Sequence, residues 1–130
     1  MVLDIEGLRA IARNDSEDAR AVLAASNQAG VPVLVPAVVL AEALFGDRRD
    51  SRANQVSKKL HVIPVTDLIA RSAAELKRDA GMTGIAPTID AIVVATSAAA
   101  GGGVVLTADV DDVRALANCA TGVRIRPVRV

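Results

Sequence analysis

The side chains of this chain best suited to chemistry are acidic residues in apolar surroundings. Asp4 directly follows the apolar residues Val2 and Leu3, and Asp109 follows the run VVLT and one alanine. An unpaired carboxylate is costly to bury, so such positions call for a cation or a cleft. Both acids stand where a strand is predicted to end, and the carboxyl ends of strands line the ligand crevice of open α/β sheets. We therefore expect these carboxylates to share one crevice.

Further acids interrupt apolar stretches that are predicted to be helical. Glu42 lies within AVVLAEALF, and Asp90 lies within TIDAIVVA, which is otherwise apolar from residue 89 to 95. Each acid also has a plain structural interpretation. Asp4 could cap a helix, Asp90 could compensate a helix dipole, and Glu42 could be a surface residue on a mostly buried helix. Asp111 and Asp112 stand at a predicted helix start, where capping is again an ordinary role.

Taken together, these acids predict a metal site. Carboxylates gathered in one crevice repel one another unless they share a cation. Oxygen ligands without His or Cys select Mg²⁺ or Mn²⁺, and such a site suits phosphodiester hydrolysis. His61 and Cys119 are each the single residue of their type, which excludes a two-histidine metal motif, a cysteine zinc site and an internal disulfide.

The elements that must position these acids alternate between strands and helices. Strands are predicted at 2–4, 31–36, around 61–65, at 104–107 and at 123–130; helices are predicted at 8–12, 16–29 (capped by Asp15 or Ser16), 37–45, 53–59, 67–80, from 88 onward and at 111–117. This order predicts an α/β fold with a mainly parallel sheet covered by helices on both faces. The glycines at 101–103 follow a helix and precede a strand, so they indicate a tight connection and not a phosphate-binding loop.

Length and charge limit the function. With 130 residues the chain is expected to form one domain, and with no membrane-spanning run or signal peptide it is expected to be cytosolic. Equal numbers of acidic and basic residues give a net charge of zero, so overall charge does not support nucleic-acid binding. Any RNA contact must be local, and the candidate cations are Arg9, Arg13, Arg48, Arg49 and Arg52.

At these residues the chain resembles the PIN-domain nucleases, specifically the VapC-type toxins of bacterial toxin–antitoxin pairs. The resemblance rests on VLD, VPAVVLAEAL, TIDAIVVATSAAAGG and VVLTADVDDVRAL, in that order along the whole chain. It implies a single three-layer α/β/α PIN-like domain over residues 1–130. It also implies an acidic quartet, which would be Asp4, Glu42, Asp90 and Asp109.

By the same resemblance, Asp112 matches a further acid of the site, with Asp111 as its rival, and Thr107 matches a supporting hydroxyl residue. The implied activity is a Mg²⁺- or Mn²⁺-dependent endoribonuclease that leaves a 5′-phosphate and a 3′-hydroxyl on structured RNA such as tRNA. The expected metal ligands are Asp4, Asp90, Asp109 and Asp112, with Glu42 orienting or deprotonating water. The implied assembly is a homodimer silenced by a small antitoxin.

This sequence departs from the family pattern directly after the first acid. Ile5 and Glu6 stand where small residues are common. This departure supports one alternative, a PIN-like binding module without catalysis. A second alternative is a receiver-like phospho-acceptor domain, which requires an acidic pair directly after the first strand and a lysine at a later strand end. The sequence has neither feature, and Lys77 is its last lysine.

Overall fold

The acids lie on a framework of short strands and longer helices. The computed structural model describes residues 1–14 and 16–130. The predicted cap at Asp15 lies outside these residues. Its neighbour Ser16 caps the following helix by accepting a hydrogen bond of 3.1 Å from the N–H of Ala19.

Within the described residues, the strands are β1 (Val2–Leu3), β2 (Leu34–Pro36), β3 (His61–Ile63), β4 (Gly103–Thr107) and β5 (Ile125–Arg129). The helices are α1 (Ile5–Arg13), α2 (Glu17–Gln28), α3 (Ala37–Ala43), α4 (Ser51–Ser57), α5 (Asp67–Asp79), α6 (Thr88–Ala99) and α7 (Val110–Cys119), and a short 3₁₀ turn spans Arg48–Asp50. None of these helices is both long and apolar enough to cross a bilayer.

The strands form one sheet in the order β3-β2-β1-β4-β5, and every neighbouring pair is parallel. The predicted α/β fold with a parallel sheet is therefore confirmed. The central strand β1 is the shortest, and Val2 pairs with Leu34 of β2 and Val105 of β4. Because all strands run the same way, their carboxyl ends meet at one edge.

Helices cover both faces of the sheet in three α/β/α layers. On one face α1 contacts β4, α3 and α4, and on the other α6 contacts β1, β2 and β4 and packs between α5 and α7. Residues 91–97 of α6 are all buried, as its apolar sequence predicts. At Gly7 of α1 an added Cβ would lie 2.5 Å from the carbonyl oxygen of Leu106, so this helix packs directly on β4.

Several predicted boundaries were wrong. The second strand begins at Leu34 and not at Val31, the first helix begins at Ile5 and not at Leu8, and the third helix ends at Ala43 and not at residue 45. The third helix ends early because Leu44 turns into extended backbone. The next two N–H groups then donate to the carboxylate of Asp50 instead of continuing the helical ladder.

Candidate functional site

Asp4 stands where β1 ends and α1 begins. Its side chain is almost fully buried, and Oδ1 accepts a hydrogen bond of 2.6 Å from the N–H of Gly7, so it caps the helix. Its own N–H donates to the carbonyl oxygen of Leu106, at 3.1 Å, which ties it to the neighbouring strand. The helix cap and the position at the strand end, weighed as alternatives for Asp4, are therefore both present.

Burial raises the pKa of Asp4, and the negative charges of Glu6 and Asp109 raise it further. Hydrogen bonds from the N–H of Gly7 and the hydroxyl of Thr107 lower this pKa and offset part of the rise. A buried carboxyl close to other acids holds its proton more tightly than one in water. A bound cation would relieve that electrostatic conflict.

Asp90 lies in the first turn of α6 and is partly buried. Burial is the largest cause that raises its pKa from 3.8 to about 6, and the charges of Asp109, Asp4, Asp112 and Glu42 follow in that order. Each of these four carboxylates therefore lies close enough to Asp90 for its charge to act on it. We call Asp4, Glu42, Asp90, Asp109 and Asp112 the acidic cluster.

Thr107 joins two members of the acidic cluster. It is fully buried at the end of β4, and its Oγ1 accepts a hydrogen bond of 2.9 Å from the N–H of Asp109. Its hydroxyl also bonds the carboxylate of Asp4. The hydroxyl thus contacts the carboxylate of one acid and the backbone of another, and its supporting role in the site stays a prediction.

The structure separates Asp111 from Asp112. Asp111 accepts a hydrogen bond of 2.7 Å from Nη1 of Arg114 and its side chain is 86% exposed, so it forms an ordinary surface pair on α7. Asp112 instead contributes to the raised pKa of Asp90. Of these two rivals, Asp112 is the member of the cluster.

Glu42 takes the surface position that was weighed as its plain structural interpretation. It lies among apolar neighbours in the sequence, yet it is exposed. The reason is that α3 is short and buries only Val39 and Ala43 on its inner side. Glu42 therefore stands at the solvent side of the cluster, where it interacts with Asp90 through charge.

An open cleft of about 410 Å³ lies against the cluster. Asp90, Asp109 and Asp112 line it together with Met82, Thr83, Ala86 and Pro87, which belong to the segment between α5 and α6. These three carboxylates are therefore reachable from solvent.

The donors of the cluster are oxygen atoms, which are the ligands that Mg²⁺ and Mn²⁺ prefer. In the described part of the chain, no three acidic, His or Cys side chains stand close enough to hold one ion together as they are placed. Mg²⁺ commonly binds one or two carboxylates and keeps several waters. The residues present therefore fit a partly hydrated Mg²⁺, and a direct ligand set of three would require side-chain rotation.

Sequence reasoning missed two residues near these elements. Asp50 lies in the charged stretch DRRDSR, yet it is 4% exposed and accepts hydrogen bonds from the N–H groups of Phe45 and Gly46. Arg129 ends β5 and lines a second polar cleft beside Asp109 and Asp112. Neither position carries a sequence signal, because the burial of Asp50 depends on how the chain turns after Leu44 and the place of Arg129 depends on the pairing of β5 with β4.

Among the arginines proposed to contact RNA, three pair with acids close in sequence in the described part of the chain, and one of them is Arg13, whose Nη2 lies 3.9 Å from Glu6. Nη1 of Arg9 lies 2.7 Å from Glu6, and Nη2 of Arg49 lies 2.8 Å from Asp47. The guanidinium of Arg49 also lies over the ring of Phe45, 4.1 Å from its centroid. These arginines border a groove that is lined by residues of α1, of the 3₁₀ turn and of α4.

The chain folds into an α/β/α protein with carboxylates near the carboxyl edge of a parallel sheet. Residues 2–118 match the PIN domain family. Because this match covers most of the sequence, the chain belongs to the PIN domain family. The resemblance to this family predicted from the sequence is therefore confirmed. A comparison of the sequence with curated proteins gives no match.

Solved structures support the same fold. VapBC2 from Rickettsia felis, bound to a DNA fragment from its promoter, aligns with a TM-score of 0.73 at 12% identity, covering 99% of this chain and 97% of that chain. DNA-bound VapBC from Salmonella typhimurium aligns with a TM-score of 0.67 at 17% identity, covering 97% and 96%. FitAB bound to an IR36 DNA fragment aligns with a TM-score of 0.65 at 16% identity, covering 98% and 93%.

Proposed function

We propose that this chain is a Mg²⁺- or Mn²⁺-dependent endoribonuclease and the toxin of a toxin–antitoxin pair. PIN domain membership supports a nuclease, and the alignment to toxin–antitoxin complexes over nearly the whole chain supports the toxin role. The observation that carries the catalytic proposal is the acidic cluster, in which burial and then neighbouring acids raise the pKa of Asp90 to about 6. Such a set of carboxylates is suited to hold a divalent cation.

In this proposal Asp4, Asp90 and Asp109 hold the metal, directly or through water, and Asp112 assists them. When bound, the metal would lower the pKa of a water molecule and neutralise charge on the phosphate. Glu42, which is exposed at the cluster, orients the attacking water or accepts its proton. Thr107 keeps the carboxylate of Asp4 in place through its hydroxyl.

The binding-module alternative rests on Ile5 and Glu6. Oε1 of Glu6 accepts a hydrogen bond of 2.7 Å from Nη1 of Arg9, and Oε2 lies 3.9 Å from Nη2 of Arg13. Its charge is therefore balanced by neighbouring arginines, and it leaves the cluster able to bind a cation. The PIN domain match argues against the receiver-like alternative.

The direct test is cleavage of RNA by the purified protein in Mg²⁺, in Mn²⁺ and in excess chelator. We expect structured RNA such as tRNA to be cut only with metal, leaving a 5′-phosphate and a 3′-hydroxyl. Asp90→Asn should abolish cutting. Asp67→Asn is the matched control, because Asp67 is also a first-turn helix acid but is 79% exposed and paired with Arg71. Cleavage that persists in Asp90→Asn, or that ignores chelator, would contradict the proposed site.

The antitoxin partner is proposed to dock on the groove beside Phe45. Phe45 is 61% exposed, and the groove of about 340 Å³ also carries Arg9, Arg13 and Arg52. An apolar helix with acidic residues fits such a surface, and an arginine of the partner could bind the acidic cluster. Val38 and Leu44, predicted with Phe45 as docking residues, lie partly buried on the same segment. A cytoplasmic homodimer is part of this proposal.

Growth of a bacterial host tests the toxin role. Expression of the chain alone should slow growth, co-expression of the product of the adjacent small gene should relieve it, and Asp4→Ala should be harmless. Phe45→Ala should remain toxic but escape relief, because it alters the docking groove and leaves the cluster intact. Equal toxicity of wild type and Asp4→Ala would show that this site is not the cause.

A further inference from the structure

Arg129 stands beside the acidic cluster at the edge of the sheet. In the pairing of β4 with β5 it lies opposite Thr107, so both residues end their strands at the same level. It lines a polar cleft of about 280 Å³ together with Asp109, Asp111 and Asp112. Two of those acids also line the larger cleft beside Asp90, so the two clefts meet at the cluster.

The hydrogen bonding of Arg129 is unusual for an arginine among acids. Nη1 donates to the carbonyl oxygen of Ala108 at 2.9 Å. In the described part of the chain this is its one hydrogen bond, and no carboxylate there lies within ion-pair distance of it. The aspartate beside it in the cleft, Asp111, pairs with Arg114 instead.

The guanidinium is thus anchored by a backbone carbonyl while its other N–H donors face a polar cleft. Arginine binds phosphate oxygens through two parallel hydrogen bonds, and this planar fork is not reproduced by lysine. Once a divalent cation neutralises the acids, a phosphate brought to the cluster would meet these donors. In the absence of a divalent cation, the same acids attract the guanidinium of Arg129 toward the cleft without forming a direct ion pair.

We propose that Arg129 binds a backbone phosphate of the RNA substrate next to the acidic cluster. This inference rests on the proposed nuclease function and adds a substrate-binding residue to it. Arg129 also supports the Ala108 carbonyl, one residue before Asp109, so a purely positioning role is the alternative that the test must exclude.

The test compares Arg129→Ala and Arg129→Lys with Arg126→Ala. Arg126 is an exposed arginine on the same strand that lines neither cleft. Binding of a labelled oligoribonucleotide is measured in the Asp90→Asn background over a range of KCl, which avoids cleavage. Cleavage kinetics are measured in the otherwise wild-type protein, and the melting temperature is measured with and without Mg²⁺.

Arg129→Ala should weaken RNA binding and raise KM by about tenfold, as expected for loss of a charged hydrogen-bonded contact. The slope of log K against log[KCl] should fall by about 0.7, the value for one phosphate contact on a single strand. Arg129→Lys should keep the slope and recover part of the affinity. Arg126→Ala should resemble wild type, and the Mg²⁺ response of the melting temperature should be the same in every Arg129 and Arg126 variant.

Two outcomes would overturn the inference. An equal effect of Arg129→Ala and Arg126→Ala would make the contact non-specific. A loss of the Mg²⁺ response with an unchanged salt slope would make Arg129 a positioning residue for Asp109. If wild type neither binds nor cuts RNA, the proposed function fails first and this inference falls with it, which the wild-type assay shows directly.

Discussion

Two buried aspartates in this protein have opposite surroundings. Asp50 accepts hydrogen bonds from the N–H of Phe45 at 2.8 and 3.1 Å and from the N–H of Gly46 at 2.7 Å. Asp4 has the N–H of Gly7 and the hydroxyl of Thr107, but it also lies near the charges of Glu6 and Asp109. The two aspartates are almost equally buried, with Asp50 4% and Asp4 3% exposed. The carboxylate of Asp50 is surrounded by hydrogen-bond donors, whereas that of Asp4 also lies close to other negative charges.

The difference extends to the whole acidic cluster. The carboxylates of Glu42, Asp90, Asp109 and Asp112 accept no hydrogen bond from the residues that the structure describes. A structural aspartate is surrounded by donors, as a protein would arrange it for stability alone. Burial and neighbouring acids raise the pKa of Asp4 and of Asp90, which costs stability and is characteristic of a functional site. The comparison indicates a structural role for Asp50 and supports the functional role proposed for the cluster.

The largest expected difference between the two regions is in catalysis. Asp90→Asn should lower RNA cleavage by more than the ~100-fold that loss of an outer-shell metal partner costs. Asp50→Asn should retain the activity of wild type per folded molecule, since Asp50 lies outside the cluster. Single-turnover cleavage at saturating Mg²⁺ is the measurement. Comparable losses in both variants would remove the distinction.

How far the sequence predicted these regions depends on the residue. Asp4 and Asp109 could be placed together because parallel strands bring their carboxyl ends to one edge, and Asp90 because it interrupts an apolar helix. Glu42 was found in the same way as Asp90, and the family resemblance added Thr107. The sequence left open whether Glu42 is exposed, because apolar neighbours in sequence do not show where a short helix ends.

The remaining features of these regions depend on how the chain turns and packs, which the sequence does not show. The burial of Asp50 could not be predicted, since nothing in DRRDSR reveals that the N–H groups of Phe45 and Gly46 turn toward it. The resemblance alone favoured Asp112 over Asp111, because adjacent helix residues point about 100° apart and only the packing of the helix decides which one faces the cluster. Arg129 gave no signal at all, as its position depends on the pairing of β5 with β4.

The second prediction concerns the response to metal. Mg²⁺ at 100-fold above its Kd should stabilise wild type by about 2.7 kcal/mol if one site is occupied. Asp50→Asn should show the same stabilisation. Asp90→Asn should show less, while its metal-free stability is equal to or above that of wild type, because one repelling charge is gone. A lower metal-free stability with an unchanged metal response would overturn the ligand assignment. Melting temperatures measured in chelator and in Mg²⁺ give the metal-free stability and the stabilisation by the metal.

The third prediction concerns Asp50, whose carboxylate accepts hydrogen bonds from backbone N–H groups. Asp50→Ala should lower the free energy of unfolding by about 1–3 kcal/mol, because the N–H groups of Phe45 and Gly46 lose their acceptor. Asp50→Asn should cost less, since one amide oxygen can still accept. Chemical denaturation in chelator gives both values, and Asp47→Ala, which removes an exposed acid of the same turn, is the control. If Asp50→Ala is as stable as Asp47→Ala, the buried hydrogen bonds contribute nothing.

The smallest expected effect is on the pH dependence of the metal-free protein. The pKa of Asp90 is raised to about 6 in the folded protein, so the folded state holds this proton more tightly than the unfolded state does. Its contribution to stability is therefore present below about pH 4 and is lost as the pH rises through about 6. Because the carboxyl is only partly buried, we expect a loss on the order of 1–2 kcal/mol between about pH 4 and pH 7, discounted for solvent screening.

Exposed acids paired with arginine, such as Asp47 with its lowered pKa, act with the opposite sign, so the total pH profile does not isolate Asp90. The informative quantity is the difference in unfolding free energy between wild type and Asp90→Asn at each pH, measured in chelator. Asp90→Asn should gain stability relative to wild type as the pH rises from about 4 to about 7, and saturating Mg²⁺ should reverse that trend because the metal selects the ionised cluster in wild type. A difference that stays flat across this range would mean that neither burial nor the neighbouring carboxylates raise the pKa of Asp90, and the contrast with Asp50 would then rest on hydrogen bonding alone.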